Sequence, residues 1–444
     1  MTARLSEATL GLLPAWVRPP GVRPAPRVVH LGLGAFHRAH QAVVFDDLGW
    51  GVTGASLRSP AVRDAMAPQN GLYSLVVGEE VRVIGAVREV LLDSERLVAR
   101  IAAPETRIVT LTVTEKGYLR GGRAAAILAE ALARRRDGLT IISCDNLPRN
   151  GARLREAVLA AAGGAAERIA ERCAFPQTMV DRIVPATEEA DIAALAARTG
   201  FVDRAMVKAE PYFQWVIEDI FAPGERPDFE AAGVQLAADI APWEDAKLRL
   251  LNGAHSGLAY LGGLAGLAFV HEFVADPAGR RFVLSLWDEA ETTLAPPPGL
   301  DLAAYRAALM ARFADAGLRH RIRQIAMDGS QKLPQRLLAP IAARLEQGQG
   351  IDALALAVAG WMRWQSGRTD AGDPFLVDDP LAQETARRLA GWHDPAAQVR
   401  ALLGIEAVFP PKLGADPRFE EALTRQLTRL MERGAAAAIG LSPK

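Results

Sequence analysis

The stretch KLRLLNGAHS, residues 247–256, sets an ammonium, a carboxamide and an imidazole in a run otherwise rich in leucine and alanine. On an α-helix Lys247, Leu251 and His255 share one stripe at i, i+4 and i+8, with Asn252 one position round. A lysine partly desolvated near a cofactor has a lowered pKa and can take or return an alcohol proton at neutral pH. Asn252, with Asn146 from the loop SCDNLPRNG, could hydrogen-bond the developing alkoxide. His255 would orient substrate or lysine, and Glu244 lies close enough on a helix to pass the proton of Lys247 to solvent. An amphipathic helix whose lysine and histidine face water has the same spacing, so both readings stay open at this point.

The second cluster is RVVHLGLGAFHRAHQ. Residues 27–33 read as a short buried strand, Gly32 and Gly34 as a tight turn, and the residues from Phe36 onward as a helix. This is the order of a dinucleotide-binding turn, in which glycines let the backbone approach a pyrophosphate resting on the helix N-terminus. Gly32, Gly34, Ala35, Phe36 and His37 are the expected cofactor contacts, with His37 in place of the third glycine of G-x-G-x-x-G. Two glycines after a strand are also an ordinary turn. The next strand, TGASLRSP, ends in Arg58 where an NAD enzyme often has an acidic residue. An arginine there could accept a 2′-phosphate, which leaves NADP open beside NAD, and a solvated turn arginine fits equally. TVTEKGY also ends a strand at the carboxyl edge of the sheet, which puts Glu115 and Lys116 among the expected cofactor contacts.

The elements that must position these groups follow from the wider pattern. Up to about residue 238, strand-like runs rich in Val, Ile and Thr alternate with helices such as GRAAAILAEALARRRDG, which predicts an α/β unit with a parallel sheet wound on both faces. From 239 to 444 the periodicity is helical throughout. The division expected is thus 1–238 for the cofactor and 239–444 for substrate and catalysis. In 444 residues, 51 basic and 52 acidic side chains nearly cancel, leaving no electrostatic footprint for nucleic acid or anionic lipid. The partner expected is a small molecule, and the chain a monomer or weak oligomer. Cys144 and Cys173 have neither metal-ligand spacing nor the number of a disulfide framework, which points to a reducing cytoplasm and away from a zinc alcohol dehydrogenase. No apolar run is long enough to span a membrane, and the proline-punctuated N-terminus is unlike a signal peptide.

Two further polar clusters, FPQTMVDRIVP with Asp181 and Arg182 and KAEPYFQWVIED with Lys208, Glu210, Gln214 and Glu218, set charges among apolar residues. Each charge needs a partner or a ligand, and a salt bridge would serve as well as a substrate. VVHLGLGAFHRAHQA, LTVTEKGY, SCDNLPRNG, FPQTMVDRIVP, QWVIED, KLRLLNGAHS and QIAMDGSQKLPQR, in this order, resemble the mannitol dehydrogenase family, the polyol-specific long-chain dehydrogenases. The resemblance runs from about residue 27 nearly to the C-terminus. It implies an N-terminal Rossmann-type domain binding NAD(H), a mostly helical C-terminal substrate domain, and no metal. It further implies that the family's catalytic lysine is Lys247, its oxyanion asparagines Asn146 and Asn252, its site histidine His255 and its relay glutamate Glu244. Its aspartate falls on Asp181 and a substrate-binding lysine on Lys332.

FPQTMVDRIVP, QWVIED, LRHR and DGSQKLPQRLL look most like the D-mannonate oxidoreductase branch, which interconverts D-fructuronate and D-mannonate with NADH in the reductive direction. A sugar acid needs a cation for its carboxylate, preferably a guanidinium. Arg323, Lys332 and Arg336 are the candidates, although an ordinary charged helix surface would also contain them. Two departures stand out: a segment after Tyr118 shorter than the family's, and Phe213 where related sugar-acid enzymes tend to carry arginine. The second leaves room for a neutral polyol, as in mannitol 2-dehydrogenase. A catalytically silent dinucleotide-binding regulator is the alternative from another class, and the intact Lys247, Asn252 and His255 argue against it.

Overall fold

The computed structural model describes residues 3–442 apart from 114, 119 and 120, and describes only the backbone at 115 and 116. The chain forms two compact units, Met1–Ala241 and Pro242–Lys444.

The N-terminal unit is built on a five-stranded sheet of β1 (Pro26–Leu31), β2 (Gly51–Ala55), β3 (Val87–Leu91), β4 (Ile108–Leu111) and β5 (Thr140–Ser143). Every neighbouring pair is parallel and the spatial order is β3-β2-β1-β4-β5. Order reverses at β1, so the chain after β1 and β4 leaves in opposite directions and opens a crevice at their carboxyl ends. The strands read as continuous apolar runs because both faces are covered. Along β1, Val28 joins a core with Ile108, Ile142, Phe45 and Trp215, whereas Val29 and Leu31 join another with Val109, Ile141, Leu128 and Leu132. That alternation of consecutive residues between two cores is what a doubly covered parallel sheet requires.

Two smaller three-stranded sheets flank this frame. LYSLVVGEEVRVIGAV departs from the parallel pattern, because Gly78, at φ +57°, closes a two-residue loop that folds Tyr73–Val77 antiparallel onto Glu80–Ile84. In the other small sheet β6 (Thr178–Asp181) pairs antiparallel with β7 (Gln214–Glu218), which sets Asp181 opposite Gln214.

The helix expected from Phe36 onward is two. α1 (Ala35–Ala39) ends at His40, whose φ −126° and ψ −90° break the ladder, and α2 (Gln41–Asp47) resumes after it. A tertiary anchor overrides local propensity here. The His40 Nε2–H donates to the Gln214 carbonyl at 3.0 Å, and its ring packs on Phe36 and Phe213.

The C-terminal unit is helical. Its centre, α4 (Gly253–Leu264), is buried along its whole length, as an all-round apolar helix must be. It packs against Asp352–Trp364, which in turn packs against Pro417–Ile439. α3 (Ala241–Ala246) leads into α4 through a π-helical turn over Lys247–Asn252, and a second π turn, Pro334–Leu338, packs against the first. The second has a local cause, since Pro334 lacks an N–H and its ring would strike the carbonyl one α-turn back. The first has none in its own sequence; Trp287 Nε1 donates to the Leu250 carbonyl at 2.8 Å from a neighbouring helix.

Candidate active site

In the N-terminal unit the glycine turn is strapped from both sides. The N–H groups of Gly32 and Leu33 donate to the Ala55 carbonyl at 2.9 and 3.0 Å, and Thr112 Oγ1 donates to the Gly32 carbonyl at 2.9 Å. Gly32 has φ +90°, and a Cβ there would lie 2.1 Å from the Thr112 carbonyl oxygen, so no other residue fits. At Gly34 the nearest atom to such a Cβ is 3.7 Å away, so the space there is open. The first-turn N–H groups of α1 have no intrahelical acceptor, and Gly34, Ala35 and Phe36 are only partly buried beside them. A cradle that excludes a side chain at Gly32 and offers free amides beyond it fits a dinucleotide pyrophosphate.

At His37 a cofactor contact is left to the backbone N–H, because the side chain is turned inward. Its side chain is wholly buried and stacks on His30 with ring centroids 3.4 Å apart. The third glycine of the motif ordinarily allows close packing of helix on strand, and here two flat rings achieve the same approach. Because the Thr112 hydroxyl proton is committed to Gly32, His30 must donate from Nε2 to Thr112 (3.0 Å) and accept at Nδ1 from Thr110 (2.8 Å). Burial pushes His30 down to about 3 and lowers His37 well below its ordinary value, with His30 adding to the effect on His37. Both rings are neutral supports beneath the turn.

Arg58 is exposed, just past the end of β2, and no acidic residue occupies that strand's end. The side chains of Glu115 and Lys116 lie outside the described residues. At the ends of β4 and β5, Asp145 accepts from the Val113 N–H at 3.0 Å and the Tyr118 hydroxyl at 2.5 Å. Burial, then Asp145, raises Tyr118 far above the usual phenol range, so it stays a donor. Asn150 is buried and ties the loop to β6, donating to the carbonyls of Asp145 (3.0 Å) and Thr178 (2.9 Å). That tether leaves Asn146 presented on the exposed side of the same loop. Asp181 is buried, and Arg182 binds the carbonyls of Glu210 and Ala39 at 3.0 and 2.6 Å, so the latter braces the end of α1.

In the C-terminal unit the π turn changes the geometry the spacing suggested. Residues five apart on an α-helix lie about 140° apart around the axis. A π turn bonds i to i+5 and so winds fewer degrees per residue, which swings Asn252 from the far side of the helix toward the face of Lys247. Lysine thus shares a face with the asparagine as well as with Leu251. Lys247, Asn252 and His255 are 7, 8 and 6% exposed, which excludes a water-facing helix. The buried Asn252 Nδ2 and His255 Nε2 have no hydrogen-bond partner, the mark of groups that await a ligand. His255 lies between Phe313 and His320 at 4.6 and 5.1 Å and is kept neutral by burial, reinforced by His320, Arg312 and Arg336. Glu244, in α3, is half-buried.

Of the three carboxylate candidates, Lys332 and Arg336 lie one turn apart beside this face and Arg323 does not join them. Lys332 Nζ donates to the Ile325 (3.4 Å) and Met327 carbonyls, and burial followed by Arg336 lowers it to about 8. Arg336 donates to Ser256 Oγ at 3.3 Å, and burial lowers it to about 10. Arg323 is exposed, its guanidinium 4.7 Å above Phe375 and 6.0 Å from Trp364. The close packing of the two π turns depends on Gly253, where a Cβ would come within 3.0 Å of the Arg336 carbonyl. Sequence reasoning missed Ser256 and Tyr260, which continue the stripe from Asn252 at i+4 and i+8. That spacing was the available signal, hidden by the apolar residues between them.

A Rossmann-type dinucleotide-binding unit joined to a helical unit with a buried Lys–Asn–His face defines a class of oxidoreductase. Family models described as the mannitol dehydrogenase Rossmann domain and C-terminal domain match residues 26–231 and 239–431. The chain is 40% identical to an uncharacterized oxidoreductase of Escherichia coli, with 93% of this chain and 94% of that protein covered. It is 38% identical to the D-mannonate oxidoreductase of Escherichia coli (93 and 95% covered), and 36% to a mannitol 2-dehydrogenase of Pyrenophora tritici-repentis (93 and 81%). The solved mannitol 2-dehydrogenase of Pseudomonas fluorescens, a ternary complex with NAD and D-mannitol, matches with a TM-score of 0.87 at 34% identity, covering 98% of this chain and 99% of that one. The chain belongs to the mannitol dehydrogenase family and is an oxidoreductase acting on CH–OH groups.

Proposed function

We propose that this protein interconverts a secondary alcohol and a ketone on a sugar acid or sugar alcohol with NAD, and that D-mannonate and D-fructuronate are the pair to test first. The observation that carries this reading is the buried face of the π turn, where Asn252 comes round to the side of Lys247 and Asn252 Nδ2 and His255 Nε2 have no hydrogen-bond partner. When bound, NAD supplies the hydride acceptor or donor. Gly34, Ala35 and Phe36 would hold its pyrophosphate by backbone amides, Gly32 would allow its close approach, and Arg58 stands where ribose is recognised, which keeps NADP in the test.

Lys247 takes the hydroxyl proton during oxidation and returns it during reduction. Asn252 donates to the oxygen as negative charge develops on it, and Asn146 is proposed for the same task. His255, neutral and buried, accepts or donates one hydrogen bond to orient substrate. Glu244, half-buried and three residues before Lys247, passes the proton toward solvent. Asp181 and Lys332 are assigned to substrate hydroxyls. Cys144 and Cys173, both free, accord with the cytoplasm, and among the described residues no helix is long and apolar enough to cross a membrane.

The second reading is a mannitol 2-dehydrogenase or related polyol enzyme, favoured by Phe213, an aromatic ring where a carboxylate-reading cation was expected. A spectrophotometric screen of D-mannonate, D-altronate, mannitol, arabinitol and sorbitol with NAD and with NADP separates the two. Lys247→Ala tests the mechanism: turnover near the wild-type level with cofactor binding intact would show that another group moves the proton.

A further inference from the structure

Arg336 is a half-buried cation with almost nothing bound to it. A guanidinium offers five donors, yet its one hydrogen bond is the 3.3 Å contact to Ser256 Oγ, and no acidic side chain among the described residues pairs with it. The nearest carboxylates act elsewhere: Asp379 accepts from the Ser330 N–H at 2.7 Å, and Asp328 lies toward Lys332 and Tyr260. A desolvated unpaired charge is costly, so the fold retains it where a ligand completes the pair.

A second, independent observation lies next to it. Tyr260 OH, Ser330 Oγ and Trp361 Nε1 are buried and have no hydrogen-bond partner. Tyr260 OH and Trp361 Nε1 converge, because a Cβ at Gly329 would lie 2.5 Å from the first and 2.6 Å from the second, and Ser330 is the next residue along the chain. Tyr260 follows Ser256 by one turn, near Arg336, and burial holds its hydroxyl above the ordinary phenol range, so it remains a neutral donor. Every one of these groups can donate, and among the described residues no carboxylate side chain accepts from any of them.

We propose that Arg336 and Ser256, backed by the Tyr260 and Ser330 hydroxyls, form the subsite that binds the carboxylate of a sugar-acid substrate. This rests on the dehydrogenase reading above and assigns its substrate class. The carboxylate meets the guanidinium directly, and the donors behind reach it directly or through ordered water. Arg336 sits beside Asn252 and His255, so the anion would fix the far end of the sugar chain relative to the reacting carbon.

The test compares kcat/KM for D-mannonate and for mannitol in the wild type, Arg336→Gln, Arg336→Lys and Tyr260→Phe, together with the rise in melting temperature caused by D-mannonate. Loss of a charge-assisted anchor predicts a mannonate-to-mannitol ratio at least about 100-fold lower in Arg336→Gln, expressed in KM. Arg336→Lys recovers part of it, and Tyr260→Phe lowers it about tenfold and stands in if Arg336→Gln does not fold. A ratio within threefold of wild type in the folded variants overturns the subsite. So does a wild type that oxidises mannitol but neither turns over nor is stabilised by D-mannonate, an outcome that leaves the dehydrogenase reading intact. Stabilisation by D-mannonate that vanishes in Arg336→Gln, with no turnover of any polyol or hexonate, keeps the subsite and removes the dehydrogenase reading.

Discussion

Asn252→Ala should separate stability from activity in opposite directions. The side chain is buried and its Nδ2 donors have no partner, a situation that costs a folded protein about 1–3 kcal/mol. Truncation removes that penalty and a few van der Waals contacts, so the variant should be between equally stable and about 2 kcal/mol more stable. For a unit of this size that is a melting temperature unchanged or higher by up to about 8 °C. The same change deletes a donor aimed at the developing alkoxide, which lowers kcat by about 10²–10³. Circular-dichroism melts without ligands and nicotinamide-absorbance kinetics read the two effects separately. A variant destabilised by about 2 kcal/mol or more, with kcat within threefold of wild type, would refute the reasoning. Asn252 would then be a structural residue of the π turn, and its unpartnered amide no sign of a ligand.

Gly32→Ala and Gly34→Ala form a contrasting pair. Gly32→Ala should lose at least about 1–2 kcal/mol from backbone conformation alone, with the clash against Thr112 added, as a thermal melt will record. Gly34→Ala should melt normally, so any weakening of NADH binding in a fluorescence titration reports contact with the ligand rather than damage to the fold. Acid should destabilise the N-terminal unit through His30 and His37. Their native pKa values lie below the unfolded value near 6.5, so the unfolded chain binds protons first and stability falls as pH drops from about 6.5 toward 4. Each ring contributes a slope approaching about 1.4 kcal/mol per pH unit, and in pH-dependent urea titrations His30→Asn should flatten the total by about that amount. An unchanged slope would mean that the pair is not what titrates.

Much of the fold was legible because its signals are local. The apolar runs of β1, β4 and β5 needed burial on both faces, and a parallel sheet with helical cover is the arrangement that supplies it. The hairpin at residues 73–84 was legible as strands but not as antiparallel, since direction depends on the backbone of Gly78. The burial of the His37 side chain was not legible, because motif position says which residue follows a turn, while the stacking on His30 depends on which strand lies beneath. Lys247, Asn252 and His255 were legible as residue types, and their burial was not. The same polar residues would suit a wet helix face until α4 is surrounded by Asp352–Trp364 and its neighbours.

By itself the sequence determined the alternation that makes one unit α/β and the other helical, the glycine required at residue 32, and the set of side chains able to move a proton. Those properties reside in short-range sterics and in hydrophobic periodicity, which each segment carries wherever it goes. Only the tertiary structure decided that Asn252 joins the buried face of Lys247. It also decided that His37 supports the turn from below, that Arg323 lies over aromatic rings, and that Arg336 is left unpaired. The physical reason is the same in each case. The π turn is held in part by Trp287 from another helix, and an unpaired charge or an unused donor is defined by what distant segments fail to bring to it.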